Sequence, residues 1–118
     1  MRSISVTLPF PPAILSGHAN GNGRWEKIAE TKRFRALAYD ATQQAGALTV
    51  PTSSDIRLHL HFVPPDRRGD RLNYVNRSKS ICDGIADALG INDRRFLPSI
   101  SYGDPQKPGC VIVTIGGE

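Results

Sequence analysis

The 118 residues make one domain, with no room for a second hydrophobic core. An ordinary hydrophobic share of 39% without a long apolar run leaves nothing to span a membrane. A formal net charge of +4 and a sequence pI near 9.4 favour an acidic partner, most often nucleic acid.

Residues 3–8 (SISVTL) alternate and are rich in β-branched types, which predicts a strand ended by Pro9, Pro11 and Pro12. The same prolines break the run VTLPFPPAIL, so the N-terminus does not read as a signal peptide. Gly17, Asn20, Gly21, Asn22 and Gly23 give residues 13–23 loop chemistry. Their GNG lacks both a preceding buried strand and a Gly-Lys-Ser ending, so it is a poor phosphate loop. Trp25 and Ile28 fall opposite the apolar stripe that follows them, and 24–29 therefore reads as a short extended segment. Phe34, Leu37, Ala38, Ala41 and Ala45 recur at helical spacing and predict a helix over about residues 30–45. Lys32, Arg33 and Arg35 near its start suit either a solvated face or contact with a DNA backbone.

Residues 46–55 are a connector. The run 56–62 (IRLHLHF) alternates strictly, with Ile56, Leu58, Leu60 and Phe62 on a buried face and Arg57, His59 and His61 on the other. His59 and His61 share a face as metal ligands would, but no third ligand is near, and a half-exposed polar face is the better reading. Residues 64–70 (PPDRRGD) form a basic loop. One helix is predicted from about 72 to 89, with Tyr74, Ile81, Ile85 and Leu89 as its apolar stripe and Gly90 as its stop. Two more strands follow, 97–102 and 110–115, around a turn carrying Gly103, Asp104, Pro105, Pro108 and Gly109. The whole reads as an α+β fold: a small mixed sheet of about four strands with two helices packed mainly on one face. Cys82 and Cys110 are too few for a disulfide scaffold, which points to reduced thiols and a cytoplasmic protein.

The stretch from Asp70 to Asp93 carries the chemistry. At about 100° per residue, positions 72, 76, 79, 83 and 87 share a helix face, and Asn76, Lys79, Asp83 and Asp87 make it polar. Lys79 and Asp83, four apart, can pair as an ordinary surface ion pair. Asp70 lies just upstream and Asp93 just downstream, among Arg67, Arg68, Arg71, Arg77, Arg94 and Arg95. Carboxylates gathered among so many cations suit a Mg²⁺ ion, which prefers oxygen ligands and takes one or two carboxylates with water and substrate phosphate.

These motifs resemble the RusA family of Holliday-junction resolvases, small endonucleases common in phages and prophages. The likeness covers most of the chain: an opening strand followed by LPFPP, Phe34-Arg35 early in the first helix, PDRRGDRLN, then Lys79-x-x-x-Asp83-Gly84, then Gly90-Ile91-Asn92-Asp93-Arg94. The resemblance implies one RusA-like domain over 1–118 that resolves four-way DNA junctions by Mg²⁺-dependent phosphodiester hydrolysis, with Mn²⁺ as a possible substitute. It makes Asp70 and Asp93 metal-binding carboxylates, Lys79 the catalytic lysine and Asp83 a further acidic position at the metal. Arg67, Arg68, Arg71, Asn73, Arg77 and Arg35 would grip DNA. The two-fold symmetry of a four-way junction implies a homodimer.

Two departures stand out. Leu72 occupies the position of the second Asp in the family's Asp-x-Asp-Asn motif, and Asn92 that of the first Asp in its acidic turn. On a continuous helix Leu72 would share a face with Lys79 and Asp83, aiming an apolar chain at the metal. Three outcomes are open: Asp83 serves as the replacement ligand, metal binds only with substrate phosphate, or the protein binds DNA without cutting it.

Overall fold

The computed structural model describes residues 2–16, 23–46, 50 and 54–117. The elements in chain order are β1 (Ser3–Pro9), a 3₁₀ turn (Ala13–Leu15), α1 (Gly23–Gln44), β2 (Ile56–Val63), α2 (Arg71–Asn76), α3 (Lys79–Leu89), a second 3₁₀ turn (Asp93–Arg95), β3 (Phe96–Tyr102) and β4 (Cys110–Gly116). The four strands make one mixed sheet in the order β1-β4-β2-β3. β4 runs antiparallel to both β1 and β2, and β3 runs parallel to β2. The fold is α+β, as the pattern of strands and helices predicts.

Period-two alternation sorts the sheet into two unlike faces. Val6, Val113, Leu60 and Ile100 stand in one cross-strand row, and Leu8, Val111, Phe62 and Tyr102 in the next. This inner face meets Phe34 and Ala38 of α1 and Ile81 and Ile85 of α3 in a single core. The outer face is polar. Ser5 and Thr114 hydroxyls hydrogen-bond at 3.0 Å. The Ser101 hydroxyl lies between His59 Nε2 at 2.7 Å and His61 Nδ1 at 2.6 Å, and Ser99 meets His59 Nδ1 at 2.6 Å. The histidine pair is thus engaged with serines on a half-exposed surface. The outermost strand β3 carries an exposed proline, Pro98, at its third residue.

Two sequence expectations need correction. Residues 24–29 are not extended, because α1 already begins at Gly23. Once a helix is nucleated, each added residue gains a backbone hydrogen bond whether or not its side chain finds a core. Trp25, 69% exposed, therefore points to solvent from a regular helix. Of the glycine- and asparagine-rich stretch before it, Gly17, Asn20, Gly21 and Asn22 lie outside the described residues, as does most of the 46–55 connector.

The second correction is that the helix expected over 72–89 is two helices. The chain leaves helical geometry at Ser78 (φ −99°, ψ 2°), whose buried hydroxyl donates to the Tyr74 carbonyl at 3.0 Å. A serine side chain that engages the preceding turn competes with continuation of the ladder. Downstream, Gly90 adopts the left-handed conformation (φ 68°) and the Ile91 amide donates back to the Ala86 carbonyl at 3.1 Å, a Schellman-type stop.

α1 and α3 pack closely because of Gly84. A Cβ there would collide with the Arg35 carbonyl and lie 2.9 Å from Ala38 Cβ. The bare glycine sets the distance between the helices and with it the alignment of their outward side chains.

Candidate functional site

Lys79 is the first residue of α3 and Asp83 stands one turn on, so the two side chains share a face. The Gly90 reversal then carries the chain back past the start of the helix. Asn92 Oδ1 accepts from the Arg94 amide at 3.0 Å and shapes the turn that presents Asp93. The result is a three-residue cluster: Lys79 Nζ donates to Asp83 Oδ1 at 2.7 Å and to Asp93 Oδ2. The Lys79 ammonium, donating to it, holds the Asp93 carboxyl below the usual carboxylate range. The same contacts, to Asp83 first and Asp93 next, raise the Lys79 ammonium above the ordinary lysine value. Lys79 is largely exposed, so solvent screens these pairs and they add little stability. One ammonium against two carboxylates leaves one negative charge in excess.

Asp70 has a different local task. It is the N-cap of α2, and its Oδ1 accepts from the Leu72 amide at 3.0 Å. Leu72 is 77% exposed. Because α2 and α3 are separate helices, the continuous face that would have aligned Leu72 with Lys79 and Asp83 does not exist.

The basic residues divide into anchored and open ones. Arg35 on α1 forms a two-pronged bond to Asp87 on α3, at 2.6 and 2.9 Å, which depresses the Asp87 carboxyl. Arg68 folds onto Asp66 at 2.9 and 3.2 Å, and Arg71 lies over the Tyr102 ring at 5.5 Å. Arg77 stacks on Tyr74 at 5.2 Å and reaches the Pro11 carbonyl at 3.4 Å. Arg67 and Asn73 are exposed on the loop and on α2. Arg95 donates to the Ser54 carbonyl at 2.8 Å, while Arg94 is exposed beside Asp93. The Arg35–Asp87 pairing was not predicted. Asp87 sits on the polar face of α3 with Lys79 and Asp83, but its partner comes from a helix 52 residues away in the chain. Cys82 and Cys110 are free, and burial pushes the Cys82 thiol up to about 11, so it stays protonated near neutrality.

The donor set fits Mg²⁺ in kind and in part in number. Among the described residues, no group of three or more His, Cys, Asp or Glu side chains is placed to hold a metal ion, so Asp70, Asp83 and Asp93 do not make a cage. Asp83 and Asp93, however, already converge on one cation, the Lys79 ammonium. Two hard carboxylates suffice for Mg²⁺ when water and a substrate phosphate complete its shell.

No protein-family model matches the chain. It is 37% identical over 118 residues to an uncharacterized protein of Xylella fastidiosa strain Temecula1, an alignment spanning 96% of this chain and 76% of that protein. At that identity and coverage, this chain and the Xylella fastidiosa protein belong to one family.

Proposed function

We propose that this protein is a structure-selective endodeoxyribonuclease of the RusA type that nicks four-way DNA junctions in recombination and repair, as a cytoplasmic homodimer. The convergence of Lys79, Asp83 and Asp93 in one exposed cluster carries the reading. A lysine-carboxylate set of this kind suits phosphoryl chemistry, and the arginines of the 64–71 loop and of the 93–95 turn supply phosphate contacts on either side of it in sequence. Asp93 and Asp83 would hold Mg²⁺, which when bound supplies Lewis-acid activation of water and charge neutralisation at phosphorus. Lys79 would stabilise the negative charge that develops on the phosphoryl oxygens. Arg67, Arg68 and Arg71 position the backbone without reading bases. Asp83 thereby fills the role that Leu72 cannot.

A second reading is favoured by the exposed Leu72 and by the use of Asp70 as a helix cap: a protein that binds junctions without cutting them. A synthetic four-way junction incubated with Mg²⁺ separates the two. Paired symmetric nicks, lost in Asp93→Asn, support the nuclease. A salt-sensitive mobility shift without nicks supports the binder. Failure to bind branched DNA at low salt overturns both.

A further inference from the structure

Among the described residues, Arg33, Arg35 and Arg68 each fork onto a carboxylate. Arg33 meets Glu30 and Arg68 meets Asp66, near neighbours in the chain, and both are ordinary local ion pairs. Arg35 differs, because its partner Asp87 belongs to another helix, and nothing in the proposed chemistry uses that pair. Arg77 is unlike all of these: it is held against Tyr74 and the Pro11 carbonyl, with its Nε buried and without a hydrogen-bond partner, so it has no edge to offer a ligand.

Arg35 is fixed at both ends. Its backbone carbonyl lies against Gly84, so α1 touches α3 at the residue that follows Asp83. Its side chain donates from Nε to Asp87 Oδ2 at 2.6 Å and from Nη2 to Asp87 Oδ1 at 2.9 Å. Asp87 stands one turn beyond Asp83 on the polar face of α3, a rise of about 6 Å. The guanidinium is thereby set beside the Lys79–Asp83–Asp93 cluster. Asp87 raises Arg35 above its ordinary value, and the charges of Asp83 and Asp93 add to the rise. This side-on fork occupies the Nε edge of a half-exposed guanidinium. It leaves the Nη1 end without a hydrogen bond among the described residues, able to take a second oxyanion in the same plane.

We propose that Asp87 is a positioning residue: it holds Arg35 so that the open end of the guanidinium clamps the DNA phosphate next to the one at the Asp83–Asp93 site, a proposal that rests on the DNA-binding reading above. A lone arginine would lose its rotamer freedom when DNA arrives. The fork takes that loss during folding, so the side chain meets the strand already oriented. Arginine and aspartate together are close to neutral, and the pair therefore acts through directed hydrogen bonds at one phosphate rather than through long-range attraction. The fork also accounts for a carboxylate on a surface that meets a polyanion, where Asp87 without its partner would repel the strand.

The test replaces phosphates around the branch of a four-way junction with uncharged methylphosphonates, one symmetry-related pair at a time, and measures affinity by mobility shift without Mg²⁺. The parent should lose about tenfold in affinity where the phosphate facing Arg35 is neutralised. Arg35→Ala and Asp87→Asn should both be indifferent to that position and keep the parent's response at the others. Charge alone predicts otherwise for Asp87→Asn: a more basic protein should bind more tightly with the parent's pattern intact. That result overturns the positioning role while DNA binding stands. An unaltered pattern in Arg35→Ala overturns the phosphate contact itself. Uniform weakening at every position with a lowered thermal midpoint marks a mere brace between helices and overturns the proposal as well. Failure of the parent to bind the junction overturns it together with the reading beneath it.

Discussion

At the scale of single residues, Lys79 links two carboxylates that would otherwise repel. The Asp93 carboxyl titrates below its ordinary value of 3.8, so its favourable contacts are present above the unfolded carboxylate pKa and are lost as the pH falls through the folded one. Lys79 titrates above its ordinary 10.5, so its contribution is complete below that value and is lost as the pH rises through its folded pKa. Across neutral pH neither the Asp93 carboxylate nor the Lys79 ammonium therefore changes its charge. Lys79→Met should raise the Asp93 midpoint followed by carboxyl carbon NMR, since the cation goes and Asp83 stays; an unmoved midpoint would refute the ion pair. The site was legible at this scale wherever spacing is local. Lys79 and Asp83 are four apart, and Asp93 follows a glycine stop by three residues. The Arg35–Asp87 fork and the orphaned Arg77 Nε were not legible, because both depend on how distant segments meet.

At the scale of elements, the short helix α2 separates structural from chemical use of Asp70. Asn caps a helix about as well as Asp, whereas Ala forfeits about 0.5–2 kcal/mol. Asp70→Asn should keep the thermal midpoint near that of the parent, and Asp70→Ala should lower it. If Asp70→Asn also retains junction nicking, the carboxylate charge of Asp70 is dispensable and Asp83 with Asp93 suffices; loss of nicking with the midpoint kept returns Asp70 to the metal. Strand β2 was readable in the sequence because one buried face imposes strict alternation, and its inward residues Ile56, Leu58, Leu60 and Phe62 are all buried. The break at Ser78 was not, since its cause is one hydroxyl turning back onto Tyr74 rather than a glycine or proline. Nor was the early start of α1, whose first turns expose the apolar Trp25 and so carry no amphipathic signal.

At the scale of the whole molecule, a sheet with helices on one face leaves the other face polar and open; Arg67, Arg68, Arg71, Arg77, Arg94 and Arg95 gather on the 64–71 loop, the junction of α2 and α3 and the 93–95 turn, while Arg33, Arg35 and Arg57 lie within α1 and β2. A net charge of +4 concentrated in this way should make DNA binding strongly salt-dependent. Arg67→Ala and Arg94→Ala, both at exposed positions, should each weaken binding to every DNA sequence alike and reduce the slope of log affinity against log salt by about one. An unchanged slope would remove that residue from the phosphate path. Finally, Pro98 in β3 and Pro9 at the end of β1 place a residue without an amide hydrogen in each outermost strand. A neighbouring copy trying to extend the sheet meets gaps in both hydrogen-bonding borders, so even crowded molecules are guarded against zipping into fibrils.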